Sequence, residues 1–218
     1  MSETLAWVAA LSLLPLLLMV TTSFAKLAVV LAMLRNALGV GGVPEGAVIA
    51  ALAGLLSVYV MLPVGRELAV TAAPFAARID TRAPFAGESG RALSDLVERG
   101  VEPLRAFLDR NSGGAERGLF LELARRGLQG EARERIAERD LFVVLPAFFV
   151  TELKEAFQIG FLLLLPFLVL DLVVATILSS LGMSALTPST VALPFKLLLF
   201  VSVDGFRTLL DALVRGYQ

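Results

Sequence analysis

Charge is concentrated in the middle of this chain. Between Arg78 and Asp140, 63 positions hold 12 arginines and 12 acidic residues, 24 of the 39 charged residues in all 218. The other 155 positions carry only 7 basic and 8 acidic residues. Two apolar arms therefore flank a highly charged, net-neutral centre. Apolar residues make up 57% of the chain and the mean hydropathy is +0.80, where soluble domains hold nearer 45–50% apolar residues. An ordinary soluble enzyme is not expected on that ground. The pattern predicts an all-α fold: two apolar helical hairpins, over 1–77 and 141–218, around a middle segment, 78–140, of short amphipathic helices.

In the first arm, residues 4–25 carry no charge, 22 positions in a row. As a helix they would be roughly 33 Å long, enough to cross a bilayer core. The apolar pattern continues past Lys26 to Leu34. A cleaved signal peptide fits poorly, because Glu3 is the only early charge and the run is too long. Pro15 is expected to kink or split this helix. Gly39, Gly41, Gly42 and Pro44 mark a turn. A second uncharged run, 46–65, completes the hairpin. Along it Ala47, Ala50, Ala51 and Gly54 recur at helical spacing. They are either a face for close backbone approach or simply good helix formers.

In the middle, Leu93, Leu96 and Val97, then Leu104, Phe107 and Leu108, follow a 3–4 spacing. Gly100 and Pro103 are expected to break this stretch. Beyond a loop at 111–114, Leu119, Phe120 and Leu123 suggest another helix, and 131–139 a polar exposed one. From Leu141 the chain is apolar again, interrupted by Glu152, Lys154 and Glu155. The following run, 156–170, is 15 residues, too short to span a bilayer comfortably. The next, 172–195, is uncharged for 24 positions but contains Gly182 and Pro188. A hairpin is expected with its turn at 182–188, and with a second helix running to about Leu213 and bent by Pro194.

All three lysines, Lys26, Lys154 and Lys196, lie in the apolar arms, as do Glu152, Glu155, Asp171 and Asp204. An isolated charge at the centre of a lipid-facing helix costs about 2.5–3.5 kcal/mol on insertion scales. Two arrangements avoid that cost: the helices pack so that these charges pair across helix or subunit boundaries, or they do not sit in lipid at all. Both imply an obligate oligomer. Sidedness is balanced. Arg35 favours the cytoplasm for the first turn, whereas the arginines of the middle favour it for that segment, which is long enough to obey the positive-inside rule poorly.

Catalytic chemistry lacks its usual residues. Histidine and cysteine are both absent, which removes zinc sites, haem ligation and Cys or Ser–His nucleophiles. No GxSxG, GxxxxGK[ST], GxGxxG or HExxH occurs. Glu152 and Glu155 share a helical face, but Lys154 between them and the absence of a neighbouring nucleophile favour an ion-pair cluster over an acid/base pair. The net charge of −1 gives no basic field for nucleic acid. No cofactor and no metal are expected.

Three stretches carry a resemblance. They are 22–39 (TSFAKLAVVLAMLRNALG), 141–171 (LFVVLPAFFVTELKEAFQIGFLLLLPFLVLD) and 191–205 (VALPFKLLLFVSVDG). In this order they resemble the R component of the type III secretion export apparatus, the SctR family, whose flagellar relative is FliP. Lys26 and RNALG at 35–39 look like the injectisome branch, as does the lack of a separate signal sequence. The resemblance implies a subunit of a pore rather than an enzyme. About five copies form a ring with two small components, S and T, and the ring is an export gate for unfolded proteins leaving the cytoplasm. It further implies a place in the bacterial inner membrane, with helices extending to the periplasmic side and the charged middle facing the periplasm. A small-solute transporter or channel, with Lys26, Asp171 and Lys196 along its path, is the alternative.

The loop at 182–188 is uncharged and joins two long apolar helices, so its tip projects. Ser184, Ala185 and Thr187 are small, which suits an opening that widens, and equally suits an ordinary αα-hairpin turn. The resemblance implies a pore gasket here, formed by Gly182, Met183, Ser184, Ala185 and Leu186. Family members typically carry several successive methionines at this place. This chain has only Met183.

Overall fold

The computed structural model describes residues 12, 13, 15–80, 87–183 and 185–217. Among them every regular element is helical. In order these are α1 (Pro15–Thr21), α2 (Phe24–Leu38), α3 (Gly46–Ala76), α4 (Gly87–Asp95), a π turn (Leu96–Gly100), α5 (Glu102–Arg110), α6 (Gly114–Gly127), α7 (Glu131–Arg135), α8 (Leu141–Ser180), α9 (Pro188–Ser202) and α10 (Gly205–Arg215). The chain forms two compact units. One combines the described residues up to Ala25 with Val58–Glu152; the other combines Lys26–Ser57 with the described residues from Leu153 onward.

The first unit is built on the charged middle. Phe107 and Leu108 of α5 are buried, together with Val143, Val144, Ala147 and Phe148 in the first turns of α8. The rings of Phe107 and Phe148 lie 5.7 Å apart at a tilt of 59°. Thr151 anchors the loop before α6: its hydroxyl accepts from the Gly113 amide at 2.9 Å and donates to the Ala147 carbonyl. The charges largely neutralise one another. Arg105 pairs with Glu102 at 3.0 Å, Arg139 with Asp109 at 3.2 Å and with Glu102 at 3.5 Å, and Arg117 with Asp109. The break between α4 and α5 falls at the π turn and Val101. There buried Gly100 sits against Phe75 and Ala72, where a Cβ would also strike Leu96.

A break in the first arm falls at Thr22–Ser23; the expected break at Pro15 concerns the junction with residue 14, which lies outside the described residues. The side chain of Thr22 explains the site: its hydroxyl donates to the Leu18 carbonyl and accepts from the Phe24 amide. It thus bridges the end of one helix and the start of the next.

The second unit surrounds α2. Leu27, Val30, Leu31, Leu34, Ala37 and Leu38 are all buried, a 3–4 spacing that turns one wide face inward. Met33 packs so close to α8 that a Cβ at Gly160 would overlap its sulfur. The buried face of α3 in this unit is Ile49, Ala53 and Ser57. The small-residue stripe, Ala47, Ala50, Ala51 and Gly54, is exposed or half-buried, so within this unit it is not a face of close approach. Small residues occupy most of this helix, so residue type alone does not fix which side faces in.

Helix α8 runs unbroken for 40 residues through Glu152, Lys154, Glu155 and Asp171. The second helix of the C-terminal hairpin does not reach Leu213 in one piece. It stops at Ser202, and α10 starts at Gly205. Asp204 adopts the left-handed conformation, φ 49° and ψ 47°, which short polar side chains tolerate best after glycine. Phe200 and Phe206 meet edge to face across the corner at 4.8 Å. A Cβ at Gly205 would strike the Phe200 ring and carbonyl.

By length and composition α3 and α8 can each cross a membrane, and α1 with α2, a sharply bent pair, is a third candidate. The protein is a membrane protein. Its apolar surface is extensive: Phe142 is 87% exposed, Val70 78%, Val201 73% and Leu55 71%. Soluble monomers rarely expose contiguous patches beyond a few hundred Å². Made without partner chains and extracted in mild detergent, the protein is therefore expected to run as a homo-oligomer or as aggregate. Light scattering after gel filtration checks this, and a monodisperse monomer would contradict it.

Candidate functional site

Two buried lysines organise the second unit. Lys26 projects from the first turn of α2 and is 4% exposed. Its ammonium donates to Oε2 of Glu155 on α8 at 2.6 Å and lies 4.3 Å from the centre of the Tyr217 ring. The ring face carries the negative lobe of the aromatic quadrupole, so it stabilises a cation that has lost water. Glu155 keeps 46% of its side-chain surface, which lowers its own desolvation cost.

Lys196 projects from α9 and is also 4% exposed. Its Nζ donates to Oδ2 of Asp171 on α8 at 2.7 Å and to the Ala37 carbonyl at 3.1 Å. Ala37 is in the last turn of α2, where carbonyls lack helical donors and carry the negative end of the dipole. The lysine therefore acts as a cap for a helix far away in sequence. Gly39 completes the arrangement with φ +72°. A side chain there would start 3.9 Å from the ammonium.

The other charged residues of the arms behave differently. Glu152 is 1% exposed, and Lys154 is exposed. Asp204 lies 3.9 Å from Arg207 on its own turn, both well exposed, so this contact crosses no helix boundary. Among the described residues no group of three or more acidic side chains converges on one point.

The hairpin tip has a defined backbone. The amide of Met183 bonds the Leu178 carbonyl and that of Gly182 bonds the Ser179 carbonyl, with Gly182 at φ +68°. This double closure needs a left-handed residue after the helix. Pro188 then occupies the first position of α9, where its missing N–H is not needed. Met183 and Leu186 are each 44% exposed. Ser184, the centre of the expected gasket, lies outside the described residues. Below the tip, Val174 and Leu178 of α8 pack on Val191 and Ala192 of α9.

The capping role of Lys196 and the cover of Tyr217 over Lys26 were not legible in the sequence. Both depend on residues more than a hundred positions apart. The apolar setting of each lysine gave the only hint.

Removing Lys196 would strand Asp171 and the Ala37 carbonyl together. Breaking a fully buried pair costs about 3–5 kcal/mol; here the figure is smaller, because Asp171 keeps 35% of its side-chain surface. Lys196→Met is expected to lower the yield of assembled complex on a native gel severalfold. Wild-type yield would show that the pair is dispensable.

The FliP family profile matches residues 7–213. The chain is 42% identical over 209 residues to the hypersensitivity response secretion protein HrcR of Ralstonia nicotianae, covering 96% of this chain and 94% of that one. It is 40% identical over 208 residues to the Yop proteins translocation protein R of Yersinia pestis, covering 95% and 92%. It is also 40% identical over 216 residues to the flagellar biosynthetic protein FliP of Pectobacterium carotovorum, covering 99% and 78%. The chain belongs to the FliP family.

Proposed function

We propose that this member of the FliP family is a pore-forming subunit of a type III protein export gate. About five copies assemble with the small components S and T, and unfolded substrate proteins pass through the ring across the bacterial inner membrane. The observation that carries this reading is the combination on α8. Two of its carboxylates are paired inside the chain with the buried lysines of other helices, through Glu155–Lys26 and Asp171–Lys196. Its apolar face, with Phe157, Phe161, Leu165, Leu168 and Leu172, is left exposed. A helix with its charges satisfied internally and an apolar face free is built to pack against further helices.

The chain is read as belonging to the injectisome branch on the sequence of Lys26 and the 35–39 stretch. Lys26 closes one ion pair, and Arg35 donates to the Pro44 carbonyl across the turn at 3.3 Å. The complex is read as extending to the periplasmic side, with the charged middle there. Glu152 and Lys154 are read as members of the same inter-helix or inter-subunit pairing. The solute-path alternative is less well supported, because Lys26 and Lys196 are each already bonded within their own pair and would have to release it for every passing solute.

The tip residues Gly182, Met183, Ser184, Ala185 and Leu186 are read as the narrowest part of the passage. With no cysteine in the chain, single-cysteine crosslinking tests this cleanly. Ser184→Cys in the assembled complex is expected to crosslink to a substrate stalled in export, and Ala115→Cys in the charged middle is not. The reverse pattern would remove the loop from the passage.

A further inference from the structure

The C-terminal hairpin carries the parts of a latch. Lys196 bonds Oδ2 of Asp171 and the Ala37 carbonyl together. The other carboxylate oxygen, Oδ1, is buried and has no hydrogen-bond partner among the described residues. An acceptor that is buried and unpaired is costly to keep. It also lies on the same carboxylate as the oxygen the ammonium already holds. A small shift of Asp171 would let the ammonium exchange the Ala37 carbonyl for Oδ1. One acceptor replaces another, so the number of hydrogen bonds to the lysine is conserved.

Two prolines set where such a shift can occur. Pro194 lies inside α9, two residues before Lys196, and Pro166 lies in α8, five residues before Asp171. Each lacks an amide hydrogen and leaves the carbonyl four residues earlier without its helical donor, which is where helices bend. Both prolines flank the same half of the hairpin. The part beyond them, toward the turn, contains Asp171 and the Val174–Leu178–Val191–Ala192 cluster. That cluster ties the ends of α8 and α9 at the hairpin tip into one block. Lys196 lies on the other side of Pro194. The block therefore carries the carboxylate, while the lysine stays with the rest of α9 beside the end of α2.

We propose that Asp171, Lys196 and the Ala37 carbonyl form a two-position latch that holds the tip of the α8–α9 hairpin, and that the tip swings at Pro166 and Pro194 when the latch exchanges acceptors. That the swing opens a passage rests on the export-gate reading above; the latch itself does not.

Spin labels test it in the purified, assembled complex. One label replaces Val48 at the start of α3 and the other Leu181 beside the turn, both exposed positions. With labelled chain diluted in unlabelled chain so that a ring carries at most one label pair, the wild type is expected to give one narrow distance when idle and a second distance when substrate is stalled. Asp171→Asn removes the charge that holds the ammonium and is expected to populate both distances when idle. Lys196→Arg keeps the charge but favours a two-pronged grip on the carboxylate. It is expected to move the idle population toward the second distance, and it serves if the asparagine variant fails to assemble. A single unchanged idle distance in an assembled variant overturns the latch, as does a single distance in the wild type under both conditions. Crosslinking at Ser184 reports separately: two distances without that crosslink would uphold the latch and sink the passage reading.

Discussion

The second unit depends on two ammonium groups that have almost no contact with water. A buried cation is tolerable only where each lost water is replaced by a well-placed acceptor. For Lys196 the replacements are a carboxylate on α8 and a helix-terminal carbonyl on α2. For Lys26 they are a carboxylate on α8 and an aromatic face near the other end of the sequence. Non-directional burial of leucine and valine allows helices many sliding positions. These four contacts do not, because a shift of one helical turn would leave a charge stranded. Directional polar contacts therefore set the register in which the apolar faces pack.

The charged middle meets the opposite problem. There the charges are many, and the apolar residues few. Asp109 takes Arg117 and Arg139, while Glu102 takes Arg105 and Arg139. Most members keep substantial solvent contact, so each pair contributes little alone. The fixed points of this unit are instead Phe107 on Phe148 and the Thr151 hydroxyl under Gly113. Neutrality of the segment reflects local pairing between neighbouring short helices.

The helices and the C-terminal turn were legible from the sequence because their signals are local. Long uncharged runs, Gly182 followed by Pro188, and the 3–4 spacing of Phe107 and Leu108 each act over a few residues. What was not legible depends on competition or distance. The first arm breaks at Thr22, where one hydroxyl contacts the end of one helix and the start of the next. The corner at Asp204 follows from Phe200, Gly205 and Phe206 fitting one another, which no propensity describes. The inward face of α3 is Ile49–Ala53–Ser57, although the neighbouring alanines read equally well. Which carboxylate each lysine finds could not be read at all, since Asp171 and Glu155 are alike as sequence.

The length of α8 bears on how the protein is made. Its 40 residues would measure about 60 Å as a straight helix, against about 30 Å of bilayer hydrocarbon. Lipid can shield only part of so long an apolar rod, even when tilted. During synthesis the remainder must find other chains or meet water. Leaving lipid for a neighbouring protein surface gains little from hydrophobicity, because acyl tails are as apolar as leucine. Close packing and polar contacts must then supply the gain, and both become available only when partner chains are present. The timing of synthesis relative to partners thus enters the fate of the chain: a copy made early and alone is committed to a lipid environment that fits it badly.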